Sequence, residues 1–163
     1  MSRYELVSTW RIDASPERVW NVLQDVPRWP VWWSYVLEVE TLERGGAGGT
    51  GAVHRITWGT TVPYQLAFSM RRTVAQSPQL LEYLFEGDLH GTGRWTLLPQ
   101  GAATEVRHDW DVTTPGTWMA MMSPLLGPMF RWNHGLVMAD GAGGLARHLA
   151  AQHADPPVAK RIS

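Results

Sequence analysis

The hydrophobic period of this chain changes once, and that change restricts the folds it can adopt. Before Pro115, apolar side chains recur at every second position over most segments, which is typical of strands with one buried face. After Gly116 the period becomes helical. The helical stripe comprises Met122, Leu126, Phe130, His134, Val137, Met138, Gly141, Leu145 and Leu149. We expect a helix over about residues 127–152, because Pro124 and Pro128 should break or kink its beginning.

The first part of the chain predicts one strand and two short helices. Residues 4–13 alternate as a strand. Ser15 is a good N-cap with Pro16 after it, so we expect a helix there, and Pro27 should end it. A second short helical segment is predicted over residues 29–35.

Glycine- and proline-rich breaks divide the middle of the chain, from residue 36 onward, into six further strands. The clearest is Thr104 to Val112, where Val106, His108 and Trp110 share the apolar side. The glycine-rich loop over residues 44–51 lacks the GxGxxG spacing and is interpreted as a hairpin loop, not a phosphate site.

Composition excludes several classes of protein. The chain has 163 residues and no cysteine, which excludes disulfides, zinc–thiolate sites, iron–sulfur clusters and cysteine nucleophiles. The net charge of −1, without a long basic cluster, argues against a nucleic-acid partner. No segment approaches the roughly 20 apolar residues of a membrane-spanning helix. We expect a cytoplasmic protein with no stable membrane insertion, a single domain over residues 1–153 and a flexible tail over 154–163.

The ten tryptophans are more than the core of such a domain requires. Flat apolar rings suit the wall of a cavity for a hydrophobic small molecule, although simple core packing explains any single ring equally well. The candidate ligand-binding residues are Trp33, Trp58, Tyr64, Phe68, Tyr83, Trp95, His108, Trp110, Trp118, Met122, Phe130 and His134.

Histidines are the candidate polar groups of this cavity. His134 and His108 lie on apolar faces, so each is either a general acid or base, or a ligand donor, or a structural histidine bonded to the backbone. Which face His54 occupies is left open, since a bulge reverses strand parity. The three histidines lack the spacing of a zinc motif, and we predict neither a metal site nor a cofactor.

Two further patterns bear on access to the cavity. Trp29, Trp32, Trp33 and Val36 share one side of the second helical segment, which suits either a gate at the mouth, a membrane contact or core packing. Gly141, Gly143 and Gly144 indicate a close approach of the long helix to the sheet. The cavity is then expected near the amino-terminal half of that helix.

The order of these elements resembles the START-like (SRPBCC) superfamily, in particular its polyketide cyclase/dehydrase and lipid-transport branch. The resemblance is carried by the segments Ser15–Trp20, Gly87–Trp95, Thr104–Trp110 and Arg131–His134, the last followed by Met138 and Leu145. It implies an α+β helix-grip fold, in which a seven-stranded antiparallel sheet wraps around a long C-terminal helix and two short helices follow the first strand.

The resemblance does not imply one activity, because fold alone does not determine function. Our first hypothesis is a monomeric or homodimeric protein that carries or senses a hydrophobic ligand, polyketide-like, aromatic or lipid. The second is a cofactor-independent cyclase, aromatase or dehydratase, in which His108 or His134 moves protons with help from Tyr64 or Tyr83. The third is an accessory role through protein contacts.

Overall fold

Seven strands in the described part of the chain form one antiparallel sheet. This part of the computed structural model comprises residues 2–59, 65–114 and 123–154. The spatial order is β1-β7-β6-β5-β4-β3-β2. Strands β2 to β7 follow one another as a meander, and β1 pairs with β7 at one edge of the sheet. The strands are β1 Ser2–Ile12, β2 Val36–Glu43, β3 Val53–Gly59, β4 Gln65–Gln76, β5 Leu80–Gly87, β6 His90–Gln100 and β7 Ala103–Thr114. The predicted seven-stranded antiparallel sheet is confirmed.

Helix α1, Pro16–Leu23, begins as its sequence predicts. The Ser15 hydroxyl accepts a hydrogen bond from the backbone N–H of Arg18 at 3.4 Å, and proline occupies the first turn, where its missing N–H costs little. The helix ends at Leu23, earlier than Pro27, which lies in a separate 3-10 turn.

Helix α2, Trp29–Trp32, is a single turn and shorter than the predicted segment. Trp33 already has an extended backbone, with φ −119° and ψ 100°, and directs the chain toward β2. This turn nevertheless buries Trp29 and Trp32, and Trp33 after it, against the core. Its position therefore depends on tertiary packing more than on helix propensity.

Helix α3, Ser123–Ala154, is longer than predicted and passes through Pro128. At 1.5 Å per residue its 32 residues span about 48 Å. The prolines do not break the helix, because it continues through Pro128, whose missing N–H removes one intrahelical bond in the second turn. The predicted flexible tail lies, apart from Ala154 at the end of α3, outside the described residues.

The carboxyl-terminal half of α3 packs against α2. A Cβ on Gly144 would lie 1.8 Å from the carbonyl oxygen of Trp32, and one on Gly141 would lie 2.5 Å from the ring of Trp33. The close approach predicted from these glycines is present, but α2 is the partner and not the sheet. Gly143 takes no part in it.

A cluster of indole rings fills the middle of the space between sheet and helices. Eight tryptophans are buried among the described residues, and Trp33 lies at their centre. Its ring contacts those of Trp10, Trp29, Trp32, Trp58 and Trp95, with centroids 4.9–6.2 Å apart. Much of the expected aromatic lining is therefore packed core.

Candidate functional site

A narrow apolar cleft lies between the amino-terminal half of α3 and the sheet. Its volume is about 10 Å³, which is room for roughly one water molecule. The cleft is lined by Trp58, Leu66, Trp110, Phe130, Asn133, His134 and Val137. Its location agrees with the expectation that any cavity lies toward the beginning of the long helix.

Three strands and one helix face supply these side chains. Trp58, Leu66 and Trp110 project inward from β3, β4 and β7, on the buried side of each alternating strand. The residues from α3, at positions 130, 133, 134 and 137, follow the i, i+3, i+4, i+7 spacing of one helix face. The binary pattern of the sequence is thus sufficient to bring this group together.

His134 is the titratable side chain in the wall of the cleft. Its ring packs against that of Trp110 with centroids 4.8 Å apart, and its Nε2 has no hydrogen-bond partner among the residues described. Burial lowers the pKa of His134 from 6.5 to about 4, so the imidazole is neutral at pH 7. A neutral imidazole offers one N–H donor and one acceptor nitrogen.

His108 lies behind His134 and is fully enclosed. Its ring packs on Trp95 at 4.0 Å between centroids, and its Nδ1 is likewise without a hydrogen-bond partner in the described part of the chain. Burial places the pKa of His108 well below its ordinary value, and a charge on His134 would lower it further. Both imidazoles are therefore neutral near physiological pH.

His54 is on the inner face of β3, together with Ile56 and Trp58, which answers the question that the sequence left open. Its Nδ1 lies 3.1 Å from the hydroxyl of Thr41. Its pKa is lowered by burial and then by the charge of Arg72, while Asp25 acts in the opposite direction. Thus His54 belongs to a separate polar environment from His108 and His134.

Tyr83 is engaged away from the cleft. Its hydroxyl accepts a hydrogen bond from Nη2 of the buried Arg72 at 3.1 Å. The same guanidinium donates to the carbonyls of Gln24 and Gly48, and burial raises the pKa of Tyr83. Arg72 continues the inward-facing row of Leu66, Phe68 and Met70 on β4, so strand parity is the signal that could have placed it there.

The predicted ligand-binding residues divide into three groups. Trp58, Trp110, Phe130 and His134 line the cleft. Buried in the core around it are Trp33, Phe68, Tyr83, Trp95 and His108. Tyr64, Trp118 and Met122 lie outside the described residues.

Sequence reasoning did not assign three cleft residues to the site. Leu66 precedes the predicted Phe68 by two positions, so strand parity was a usable signal for it. Val137 was placed on the helical stripe but not in the cavity wall. Asn133 lies at i+3 from Phe130 on the predicted helix face, but as a polar residue it was not part of the predicted apolar stripe.

The tryptophans of α2 form part of the core and not a gate. Trp29, Trp33 and Val36 are at most 2% exposed, and Trp32 is 6% exposed. The indole N–H groups of Trp29 and Trp33 donate to the carbonyls of Leu23 and Val137, each at 2.9 Å. The interpretations of this group as a gate at the cavity mouth or as a membrane contact are therefore wrong, and the burial supports core packing.

A larger hollow, of about 730 Å³, lies on the outer face of the sheet. Ion pairs cross it, with Arg94 2.6 Å from Glu82 and Arg107 2.9 Å from Asp109. These exposed charges prefer water, so an apolar ligand fits the inner cleft better.

Over residues 2–59, 65–114 and 123–154, no cluster of three His, Asp or Glu side chains has an arrangement that would hold a metal ion. None of the helices described is long and apolar enough to cross a membrane.

Comparison with known structures identifies the fold. A START superfamily protein from Mycobacterium smegmatis is 18% identical, with a TM-score of 0.74 over 91% of this chain and 98% of that one. The protein TTHA0849 from Thermus thermophilus is 20% identical, with a TM-score of 0.73 over 91% and 99%. The Zhui aromatase/cyclase from Streptomyces sp. R1128 is 16% identical, with a TM-score of 0.67 over 99% and 100%.

These identities are low enough that the structural matches establish the fold alone. Among curated proteins, none matches the chain. The family model described as "Polyketide cyclase / dehydrase and lipid transport" matches residues 3–150, which is most of the chain. The chain therefore belongs to the polyketide cyclase/dehydrase and lipid-transport family.

Proposed function

We propose that the protein binds a hydrophobic small molecule in the cleft beside α3 and carries or senses it without changing it. The observation that supports this is the Nε2 of His134, which has no hydrogen-bond partner among the described residues and lies in a wall that is apolar apart from Asn133. A buried polar atom without a partner is costly, and a ligand with one carbonyl or hydroxyl group would satisfy it.

The ligand must widen the cleft, since the space present is about 10 Å³. The carboxyl-terminal half of α3 is held on α2 by the contacts of Gly141 and Gly144. Widening is then easier at the other half, where Phe130 and His134 lie. Rotation of the Phe130 ring, or a small displacement of that half of α3, is the motion we expect on binding.

The comparisons support binding of a hydrophobic ligand in general terms. The family's own description joins cyclase/dehydrase with lipid transport, and the shared requirement is a site for an apolar compound. The structural neighbours include proteins described as aromatase/cyclases. Because of these neighbours, enzymatic activity remains the second candidate function for this chain.

Acid–base catalysis is the less well supported candidate. A pKa of about 4 leaves His134 almost entirely unprotonated at pH 7, so it is not a ready proton donor. His108 is shifted in the same direction and is more deeply enclosed. Among the residues that the structure describes, those lining the cleft include no carboxylate. A neutral imidazole can form a hydrogen bond to a ligand without changing its protonation state, whereas proton transfer requires it to gain or lose a proton.

The test compares two probes that differ by one hydroxyl group, 2-naphthol and naphthalene. Each is titrated against the wild type and His134→Phe, with quenching of tryptophan fluorescence as the readout. We expect the wild type to prefer 2-naphthol by roughly 3- to 10-fold, the equivalent of one buried hydrogen bond, and His134→Phe to lose that preference.

Native mass spectrometry of the protein purified from its own host provides the complementary experiment. A retained and unchanged apolar compound supports carriage or sensing. Its conversion during incubation, abolished in His134→Phe, would support the enzymatic candidate instead. If neither probe quenches fluorescence and no compound is retained, the proposed function is wrong.

A further inference from the structure

The cleft beside α3 has a closed end, and the side chain that closes it is Trp33. Two of the residues that line the cleft, Trp58 and Val137, are in direct contact with this indole. Its ring lies against that of Trp58 with centroids 4.9 Å apart, and its N–H donates to the backbone carbonyl of Val137 at 2.9 Å. Trp33 itself is fully buried, so it lies directly behind the wall of the cleft.

Trp33 is held in place from several sides. Its ring is stacked on that of Trp32, with the two planes inclined by 18°. A Cβ on Gly141 would lie 2.5 Å from the ring, so the lack of a side chain at that position makes room for the indole. The rings of Trp10 and Trp95 pack on it at 5.8 and 6.2 Å between centroids. A ligand that displaced Trp33 would have to break these contacts and the hydrogen bond together.

The sheet side of the cleft is filled by aromatic rings as well. Phe68 packs on Trp58 with ring centroids 6.1 Å apart, and Phe85 packs on Trp110 at 5.8 Å. Both phenylalanines are buried. The space that a ligand can use is therefore the layer between these rings and α3.

The length of the cleft follows from the helix that lines it. Phe130 and Val137 are the first and last residues of α3 in its wall, seven positions apart. At 1.5 Å per residue this separation is about 10 Å. Trp33 meets α3 at Val137 and again at Gly141, so the closed end is the one toward the carboxyl terminus of the helix. His134 lies between the two ends of the cleft.

We propose that Trp33 sets an upper limit to the length of the bound ligand. The cleft then takes compact compounds, of one or two rings or with a short chain, and the tail of a long-chain lipid gains nothing from it. This inference rests on the proposed function and specifies the class of ligand. A polar group bonded to His134 has the packed indole of Trp33 on one side and Phe130 on the other, which leaves no room for an extended chain between them.

Straight-chain alcohols can measure the length of such a site. Each methylene group that enters an apolar site raises affinity about 4-fold, whereas one that stays in water adds nothing. Affinity should therefore rise with each added carbon until the chain reaches the closed end, and then level off. The chain length at which it levels off is the quantity that Trp33 should control.

The experiment measures how well 1-butanol, 1-hexanol, 1-octanol and 1-decanol displace 2-naphthol, with tryptophan fluorescence as the readout. In the wild type, 1-octanol and 1-decanol should differ in affinity by less than about 3-fold, because the added carbons find no space. In Trp33→Ala the space of the indole is open to the chain. There 1-decanol should bind about 15-fold more tightly than 1-octanol, as expected for two further buried methylene groups.

Trp29→Ala is the matched control, since Trp29 belongs to the same cluster of indole rings. It is also buried, and its indole N–H also donates to a backbone carbonyl, that of Leu23. Its ring packs on Trp33 at 5.6 Å between centroids, but the residues that line the cleft do not include it. Trp29→Ala should therefore level off at the same chain length as the wild type. If it binds 1-decanol as tightly as Trp33→Ala does, general loosening of the core is the cause and the proposal is wrong.

Truncation of a buried indole is destabilising, so Trp33→Phe, which removes fewer atoms, is measured beside Trp33→Ala. Circular dichroism shows whether each variant is folded, and Trp33→Phe should shift the levelling-off in the same direction by a smaller amount. An unshifted chain length in the folded Trp33 variants overturns the proposal.

The wild type tests the limit without any substitution. Affinity that continues to rise about 4-fold per carbon through 1-decanol overturns the length limit but leaves the proposed function standing. A wild type that binds neither 2-naphthol nor any of the alcohols refutes the proposed function, and the length limit with it. The two failures are therefore distinguishable.

Discussion

The imidazole of His134 lies against the indole of Trp110, with centroids 4.8 Å apart and ring planes inclined by 48°. One ring comes from α3 and the other from the closing strand β7, so their contact joins the helix to the sheet at the cleft. It restrains His134 without using its Nε2, which has no partner among the described residues. The cleft is therefore a tightly packed contact between helix and sheet, in which the Nε2 of His134 makes no hydrogen bond within the described part of the chain.

The size of the cleft should limit which compounds it admits. Phe130 lines it and packs on Tyr4, with ring centroids 4.4 Å apart. Phe130→Ala should lower the free energy of unfolding by about 3–5 kcal/mol and leave room for a benzene-sized guest. Benzene or indole should then raise the melting temperature of Phe130→Ala more than that of the wild type, as differential scanning fluorimetry would show.

Leu98→Ala is the control for this prediction, because Leu98 is exposed on the far face of the sheet. Leu98→Ala should change the free energy of unfolding by no more than about 0.5 kcal/mol. It should leave the response to benzene unchanged. If benzene stabilises Phe130→Ala and the wild type equally, cleft size is not the limiting factor.

Two neighbouring glycines of α3 should respond in opposite ways to the same substitution. Gly144→Ala introduces a methyl group 1.8 Å from the carbonyl oxygen of Trp32, so α3 must move away from α2, at a cost of about 2–3 kcal/mol. Gly143→Ala meets only a flexible arginine and should be neutral or stabilise the helix by up to about 1 kcal/mol. Urea unfolding at low protein concentration measures both, and equal effects would contradict the assignment of close packing to Gly144.

The sequence predicts those features of the structure that depend on neighbouring residues, and it does not predict those that depend on contacts between distant segments. The alternation around Trp110 and the cap at Ser15 depend on neighbouring residues, so strand face and helix start were predicted correctly. The partner of Gly144 is a residue 112 positions earlier, Trp32, and no local pattern identifies it. Whether the indole rings leave a space or fill it is likewise decided by packing between distant segments.

The buried guanidinium of Arg72 should be important for stability. It donates to the Tyr83 hydroxyl and to the carbonyls of Gln24 and Gly48, and so joins β4 to β5, to the end of α1 and to the loop before β3. Arg72→Ala leaves these buried acceptors without a donor and should cost about 3 kcal/mol or more. Tyr83→Phe removes one hydrogen bond and should cost about 1 kcal/mol.

Arg71 provides a matched control for Arg72, since it is the adjacent arginine but points to solvent, 3.4 Å from Glu43. Arg71→Ala should change the free energy of unfolding by less than about 0.5 kcal/mol. Chemical denaturation of the three variants gives the comparison. Equal losses for Arg71→Ala and Arg72→Ala would show that burial of Arg72 contributes nothing specific.

Acid should destabilise the protein through its buried imidazoles. The pKa of His134 is about 4 in the folded chain and 6.5 in the unfolded one, so the unfolded state takes up the proton first as pH falls. The stability that this group contributes is complete above pH 6.5 and is lost as pH falls from there to about 4. At pH 5 the loss attributable to His134 is about 2 kcal/mol relative to pH 7.

The variant His134→Phe isolates this contribution, because phenylalanine keeps the apolar contact with Trp110 and does not titrate. Its free energy of unfolding should fall less between pH 7 and pH 5 than that of the wild type, by about 2 kcal/mol. His108 and His54, whose pKa values are also lowered, account for part of the fall that remains. Leu98→Ala, which changes an exposed and non-titrating side chain, should leave the pH dependence as it is. An unchanged slope in His134→Phe would mean that burial does not lower the pKa of His134 in the folded chain, and its proposed role as a buried, neutral hydrogen-bonding group would then be untenable.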